Sequence, residues 1–114
     1  MFARLMGQKT MSPHELHRQL QDGAPVTVID VNSRDSWIKR HVPGANHLDS
    51  ARFTDSDLPP DKTAVLVFYC SNPMCRKAPD AARRARRMGY DHVRVMSAGI
   101  SGWLAAKLPA GSGE

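Results

Sequence analysis

A continuous apolar run over residues 63–69, which ends directly at Cys70, is the feature that most constrains the fold of this chain. Its sequence, Thr-Ala-Val-Leu-Val-Phe-Tyr, has no polar/apolar alternation, which is typical of a parallel strand buried on both faces. After a loop over residues 70–76, alanine recurs at positions 78, 81, 82 and 85. This spacing predicts a helix over residues 77–88 that packs its alanine face on the sheet. We therefore expect residues 63–69 to form a central parallel strand with a neighbour on each side.

The segments on both sides of this strand alternate between strand-like and helix-like patterns. Strands are predicted over residues 26–31 and 93–96, helices over residues 13–22, 33–40 and 99–104, and a loop with one helical turn over residues 49–62. Strands that alternate with helices predict an α/β fold with a mainly parallel sheet.

The length of 114 residues is that of one ordinary domain, and a content of 41% hydrophobic and 24% charged residues is that of a globular protein. The Ser12-Pro13 pair suits the start of a helix, and Leu108-Pro109 closes the last helical segment. We therefore expect a flexible lead-in over residues 1–11, one domain over residues 12–110 and a flexible tail over residues 111–114.

The chain carries a formal net charge of +5, and such a surface attracts anions. Its two Trp, two Tyr and three Phe residues do not interleave with basic residues, so we expect no nucleic-acid partner. No apolar run reaches the roughly 18 residues that a membrane span needs, and the first ten residues lack the apolar segment of a secretion signal. We therefore expect a cytoplasmic protein without a membrane partner.

The loop after the central strand is the predicted functional site, because ligands of open parallel sheets bind beyond the C-terminal ends of the strands. Backbone N–H groups of such a loop can converge on one point, and the dipole of the following helix favours an anion there. We therefore expect a lowered pKa for the Cys70 thiol, which would make Cys70 the catalytic nucleophile. The competing interpretation is a buried strand-end cysteine without chemistry. The candidate anion- or substrate-binding residues are Ser71, Asn72, Met74, Cys75, Arg76 and Lys77.

Six segments along the chain form an ordered set of motifs. They are Asp30-Val31-Asn32-Ser33, His41-Val42-Pro43-Gly44-Ala45, Val67-Phe68-Tyr69-Cys70, Met88-Gly89-Tyr90 with Val93, Ala98-Gly99-Ile100-Ser101-Gly102-Trp103, and Leu108-Pro109. This set resembles the rhodanese family over residues 12–110. The resemblance implies a rhodanese-like three-layer fold, with a central, mainly parallel five-stranded sheet flanked by helices. It also implies a sulfurtransferase of the thiosulfate sulfurtransferase type, with a persulfide on Cys70 as the intermediate.

The loop departs from the rhodanese pattern in its length. Five residues separate Cys70 from Arg76, whereas the common rhodanese loop has four, and the longer spacing resembles the loop of dual-specificity phosphatases and arsenate reductases. Pro73 has no N–H to donate to an anion, and Tyr69 stands where those phosphatases have histidine. A phosphatase or arsenate reductase stays open as an alternative function, as does a non-catalytic persulfide-carrying or redox-sensing module.

Cys75, at the end of the same loop, has two interpretations. It can resolve an oxidised or persulfidated Cys70 by forming a disulfide, or it can be a small packing residue at the helix start. Two cysteines do not supply the four ligands of a structural zinc site, so we expect no metal and no cofactor. The expected partners are a small anionic sulfur donor and an acceptor that is a thiol, cyanide or a sulfur-accepting protein.

Overall fold

The computed structural model describes residues 9–114, and its centre is a parallel sheet. The strands are β1 (Val26–Asp30), β2 (Asn46–His47), β3 (Val65–Tyr69) and β4 (His92–Val95), in the spatial order β2-β1-β3-β4. All three strand pairs are parallel. The apolar run therefore lies in the middle of the sheet with β1 and β4 on its two sides, as its composition predicts.

Helices cover both faces of this sheet. They are α1 (Pro13–Gln21), α2 (Arg34–Lys39), α3 (Lys77–Arg87) and α4 (Gly99–Ala105), with one 3₁₀ turn over Asp55–Asp57. Successive β3 side chains point to opposite faces. Leu66 and Phe68 pack with the buried alanines of α3, whereas Val67 packs with Leu16 and Trp103. The predicted α/β fold with a parallel sheet flanked by helices is confirmed.

The predicted fifth strand is reduced to a single bridge within residues 9–114, so the sheet has four strands there instead of five. Thr10 forms an isolated parallel bridge with Val95 on the outer side of β4. The Val95 N–H donates to the Lys9 carbonyl at 2.8 Å, and the Met11 N–H donates to the Val95 carbonyl at 2.9 Å. Residues 1–8 of the expected flexible lead-in lie outside the described residues, and its residues 9–11 are hydrogen-bonded to the sheet.

Residues 111–114, expected as a flexible tail, also make contacts. Gly111 and His41 exchange two backbone hydrogen bonds of 2.8 and 3.0 Å, and the Gly113 N–H donates to the Ile38 carbonyl at 2.7 Å. Glu114 forms an ion pair with Arg34. The domain limits at residues 12 and 110 stay predictions. Within residues 9–114, no helix has the length and apolar character needed to cross a membrane.

Two element boundaries show how local side chains override the apolar pattern. The Ser12 hydroxyl accepts the Glu15 N–H at 3.1 Å, so α1 begins where the sequence predicts. The strand over residues 63–69, in contrast, begins two residues later than predicted. Asp61 accepts the Thr63 N–H at 2.8 Å, and its carbonyl accepts the Ala64 N–H at 3.0 Å, which holds both residues in a turn.

Candidate active site

Cys70 lies immediately after β3, where the chain leaves the buried centre of the sheet. Its residue surface is 3% exposed. The backbone of this segment is held from α4, because the Ile100 N–H donates to the Cys70 carbonyl and the Ser101 N–H donates to the Ser71 carbonyl, both at 2.9 Å. The start of the loop therefore has a backbone position that is set by α4.

Gly99 permits this close approach of α4. Its φ of +68° is in the left-handed region. A Cβ atom at this position would lie 2.5 Å from the Ser71 carbonyl carbon and 2.6 Å from the Asn72 nitrogen, both backbone atoms. Glycine is required here for conformation and for space, and this is the physical role of the Gly in the Ala98-Gly99-Ile100 segment.

Inside the loop, two of the N–H groups expected to face an anion are already used. The Met74 N–H donates to the Asn72 side-chain oxygen at 2.9 Å, and the Cys75 N–H donates to the Asn72 carbonyl at 3.1 Å. Pro73 has no N–H. The prediction that donors converge along residues 71–76 is therefore wrong in detail, because Asn72 closes the middle of the loop on itself. Met74 is 86% exposed at its tip.

The remaining donors face the two sulfur atoms. The Ala78 N–H, in the first turn of α3, donates to Cys70 Sγ at 3.4 Å. The N–H groups of Lys77 and Ser71 and the Ser71 side chain lie near enough to the Cys75 sulfur to lower the pKa of that thiol. The Cys70 thiol faces Cys75 and donates to its carbonyl oxygen, 3.6 Å from the Cys70 sulfur. The loop therefore brings its two thiols together and supplies both with backbone donors.

The acidity of the two thiols is opposite to the sequence-based expectation. Burial, and then the hydrogen bond that its thiol donates to Cys75, raise the pKa of Cys70 to about 11, against the lowering effect of the Ala78 N–H. Partial burial acts to raise the pKa of Cys75, but hydrogen bonds from the Cys70 thiol, Lys77 and Ser71 outweigh it and lower that pKa to about 7. The direction of the Cys70 pKa shift is therefore opposite to the low pKa that the sequence predicts, and the pKa of Cys75 is the lower of the two.

A polar cleft of about 540 Å³ borders this loop at the start of α3. It is lined by Val31, Asn32, Ser33, Arg34, His47, Asp49, Ser50, Ala51 and Lys77. Arg34 and Lys77 carry positive charge in this cleft and Asp49 carries negative charge, and Arg34 is also paired with Glu114. The cleft therefore offers the charge of Lys77 next to the loop.

The predicted site residues divide between these surfaces. Lys77 lines the cleft, while Arg76 is exposed at the loop end. Sequence reasoning missed Arg34 and His47, which follow or end strands β1 and β2. Their place at the C-terminal edge of a parallel sheet is the signal that marks them. Among residues 9–114, no group of three or more His, Cys, Asp or Glu side chains is arranged to hold a metal ion.

Residues 12–106 match the sequence profile of the rhodanese-like domain. The chain belongs to the rhodanese-like domain family. Its resemblance to rhodaneses at the level of motifs is thus confirmed, and the parallel sheet with helices on both faces agrees with it. Cys70 and Cys75 lie within the matched residues, in the loop after the central strand.

Three known proteins illustrate the range of this similarity. The rhodanese-like domain is 35% identical over 101 residues to the HTH-type transcriptional regulator Rv0324 of Mycobacterium tuberculosis, covering 87% of this chain and 43% of that protein. It is 27% identical over 104 residues to the probable adenylyltransferase/sulfurtransferase MoeZ of the same species, covering 88% of this chain and 26% of that protein. The chain thus spans less than half the length of either relative.

The third protein is known from its structure. The crystal structure of thiosulfate sulfurtransferase from Pseudomonas aeruginosa superposes with a TM-score of 0.84 at 17% identity, covering 95% of this chain and 21% of that one. At this identity the likeness concerns the fold.

Proposed function

We propose that this rhodanese-like domain is a sulfurtransferase that carries sulfane sulfur as a persulfide on Cys70. The observation that carries the proposal is the position of Cys70, directly after the central strand, with the Ala78 N–H 3.4 Å from its sulfur. An N–H donor at a helix N-terminus stabilises a thiolate or a persulfide anion. Family membership supports the same chemistry.

The attack on the donor starts from the Cys70 thiolate. Cys70 loses its proton to the solvent, and the Ala78 N–H stabilises the negative charge on its sulfur. The Cys70 sulfur then attacks the outer sulfur of a donor such as thiosulfate. The donor S–S bond breaks, its electron pair leaves with sulfite, and a new S–S bond forms on Cys70. An acceptor thiol, cyanide or a sulfur-accepting protein then removes the outer sulfur.

The basic cleft supports a small anionic donor. Arg34, His47 and Lys77 line it beside the loop. Positive charge in a concave surface raises the local concentration of anions. Arg76 lies on the exposed side of the loop and adds to the same field.

This loop has fewer N–H groups available to bind a tetrahedral oxyanion. A phosphatase or arsenate reductase that uses the Cys70-x5-Arg76 spacing needs the loop N–H groups to face the anion, but those of Met74 and Cys75 are bonded to Asn72. Because one relative is a transcriptional regulator, a non-catalytic sensing module stays an alternative function. In that case the persulfide would form on Cys70 without turnover.

Mass spectrometry of the intact protein tests the proposal. After incubation with thiosulfate, Cys75→Ser is expected to gain one sulfur atom and Cys70→Ser to gain none. Wild type is expected to produce thiocyanate when cyanide is present. Sulfur on neither protein, together with hydrolysis of p-nitrophenyl phosphate that Cys70→Ser abolishes, would overturn it in favour of a phosphatase. Sulfur gain without thiocyanate would identify the sensing module.

A further inference from the structure

The loop holds two thiols where a sulfurtransferase needs one. We infer that Cys75 attacks the persulfide on Cys70, releases hydrogen sulfide and leaves a Cys70–Cys75 disulfide, so that the domain reduces its own sulfur cargo. The inference rests on the proposed persulfide and gives that site a second activity. An external thiol is then needed only to reduce the Cys70–Cys75 disulfide back to two thiols.

The geometry of the loop supports this reaction. Cys70 and Cys75 are both free and stand at the two ends of a turn that Asn72 closes. The Cys70 thiol points toward Cys75 and donates to its carbonyl oxygen at 3.6 Å. Each thiol also shifts the pKa of the other. The two cysteines are therefore neighbours before any donor arrives.

The surroundings of Cys75 distinguish it from a packing residue. Its side chain borders the core beneath α3, but the Ser71 side chain and the N–H groups of Ser71 and Lys77 also act to lower the pKa of its thiol. These donors favour a thiolate, which is the nucleophilic form in thiol–disulfide chemistry. A merely space-filling cysteine needs no such donors.

The step balances as follows. The Cys75 thiolate attacks Cys70 Sγ, the inner sulfur of the persulfide, and the bond between the inner and outer sulfur breaks. The outer sulfur leaves with the bonding electron pair as hydrosulfide, taking up the persulfide proton. The sulfane sulfur is reduced by two electrons, and the two cysteines are oxidised to a disulfide. A dithiol reductant of the thioredoxin class then returns both thiols by exchange.

A single-turnover experiment without any acceptor tests this inference. Wild type, Cys75→Ser and Cys70→Ser are each reduced, desalted under anaerobic conditions and incubated with excess thiosulfate at pH 9, where loading is promoted. Released sulfide is measured, and the intact mass of each protein is recorded beside a sample without thiosulfate. Wild type is expected to release one equivalent of sulfide and to lose two hydrogen atoms in mass. Cys75→Ser is expected to keep one extra sulfur atom and to release no sulfide.

The possible failures can be told apart. If wild type and Cys75→Ser both keep one extra sulfur atom and release no sulfide, the inference is wrong and the proposed sulfurtransferase stands. If neither protein gains sulfur nor loses hydrogen, the persulfide itself does not form and the proposed function fails. If Cys70→Ser releases as much sulfide as wild type, Cys75 does not act on Cys70, and the inference is also overturned.

Discussion

The Tyr69 hydroxyl donates to the Asp30 carboxylate at 2.8 Å and accepts the Val42 N–H at 3.0 Å. Tyr69 and Asp30 are register partners at the ends of β3 and β1, and both are fully buried. Asp30 also accepts the Asn32 N–H at 2.8 Å. Tyr69, directly before Cys70, therefore belongs to a buried polar network that ties the ends of two strands to the segment after α2.

Removing the hydroxyl with Tyr69→Phe is expected to lower the free energy of unfolding by about 1–3 kcal/mol, because it leaves the buried Val42 N–H without an acceptor and one of the two Asp30 carboxylate oxygens without its donor. Urea denaturation followed by circular dichroism measures this change. An unchanged midpoint and slope would show that the network contributes nothing to stability.

Asp30 predicts a pH dependence of stability. Burial, as the largest effect, raises the pKa of the Asp30 carboxyl, although the Asn32 N–H and the Tyr69 hydroxyl oppose it. A raised folded-state pKa favours the protonated native state, so this contribution is complete below the unfolded-state pKa and is lost as pH rises through the folded-state pKa. The difference in unfolding free energy between wild type and Asp30→Asn should therefore fall as pH rises above about 4. A difference that grows over that range would contradict the shift.

Cys75 should be the first thiol to react with iodoacetamide. Hydrogen bonds from Cys70, Lys77 and Ser71 lower its pKa to about 7 despite partial burial, whereas burial raises the pKa of Cys70 to about 11. The alkylation rate of Cys75 should be half-maximal near pH 7, and Cys70 should stay unlabelled there. Peptide mass mapping across pH measures both. Cys70→Ala should shift the Cys75 midpoint upward, because it removes a donor; preferential labelling of Cys70 at pH 7 would contradict the assignment.

Gly99→Ala should damage the loop far more than Gly23→Ala. Both glycines have positive φ, +68° and +74°, so each alanine is strained by about 1–2 kcal/mol. At Gly23 nothing lies within 4 Å of an added Cβ, whereas at Gly99 the Ser71 backbone lies 2.5 Å away. The overlap should add about 1–3 kcal/mol of destabilisation and slow persulfide formation. Equal melting temperatures for the two variants would show that α4 does not hold the loop.

Lys77→Ala should weaken donor binding without changing the chemical step. Lys77 lines the cleft beside the thiols, and one partly screened charge contributes about 0.2–1 kcal/mol. The KM for thiosulfate should therefore rise by up to about fivefold at low salt, with kcat unchanged. Lys39→Ala, on the exposed end of α2, is the charge-matched control. If the KM rises equally in both variants, the effect comes from the net charge of the protein and not from the position of Lys77.

The sequence was most informative where one pattern repeats over many residues. The apolar run that contains β3 and the alanine spacing of α3 predicted both elements, because burial on two faces and on one helical face leaves a periodic signal. β2 was missed, since Asn46 and His47 form only two pairs with β1 and carry no periodicity. The turn at Asp61 shortened β3 through side-chain hydrogen bonds that an apolar pattern does not contain.

The position of Cys70 at the end of the central strand was predictable, but the direction of its pKa shift was not. A parallel sheet puts Cys70 at the strand end, so the residue could be named from the sequence. Which sulfur ionises first depends on where single N–H groups point: Ala78 donates to Cys70, but Lys77 donates to Cys75. The cleft depends on Arg34 and His47 meeting Lys77 from distant parts of the chain. Contacts between residues so far apart in the sequence are set by tertiary packing.

Cys70 is hydrogen-bonded to helices on both faces of the sheet. Its carbonyl is bonded to Ile100 in α4, which belongs to one half of the core, while its sulfur is bonded to Ala78 in α3, which belongs to the other. The two halves share only the sheet between them. Any repacking that shifts one helix layer relative to the other must therefore rotate the Cys70 side chain relative to its own backbone. The distance between the two sulfurs then depends on how the two layers of the core pack on the sheet.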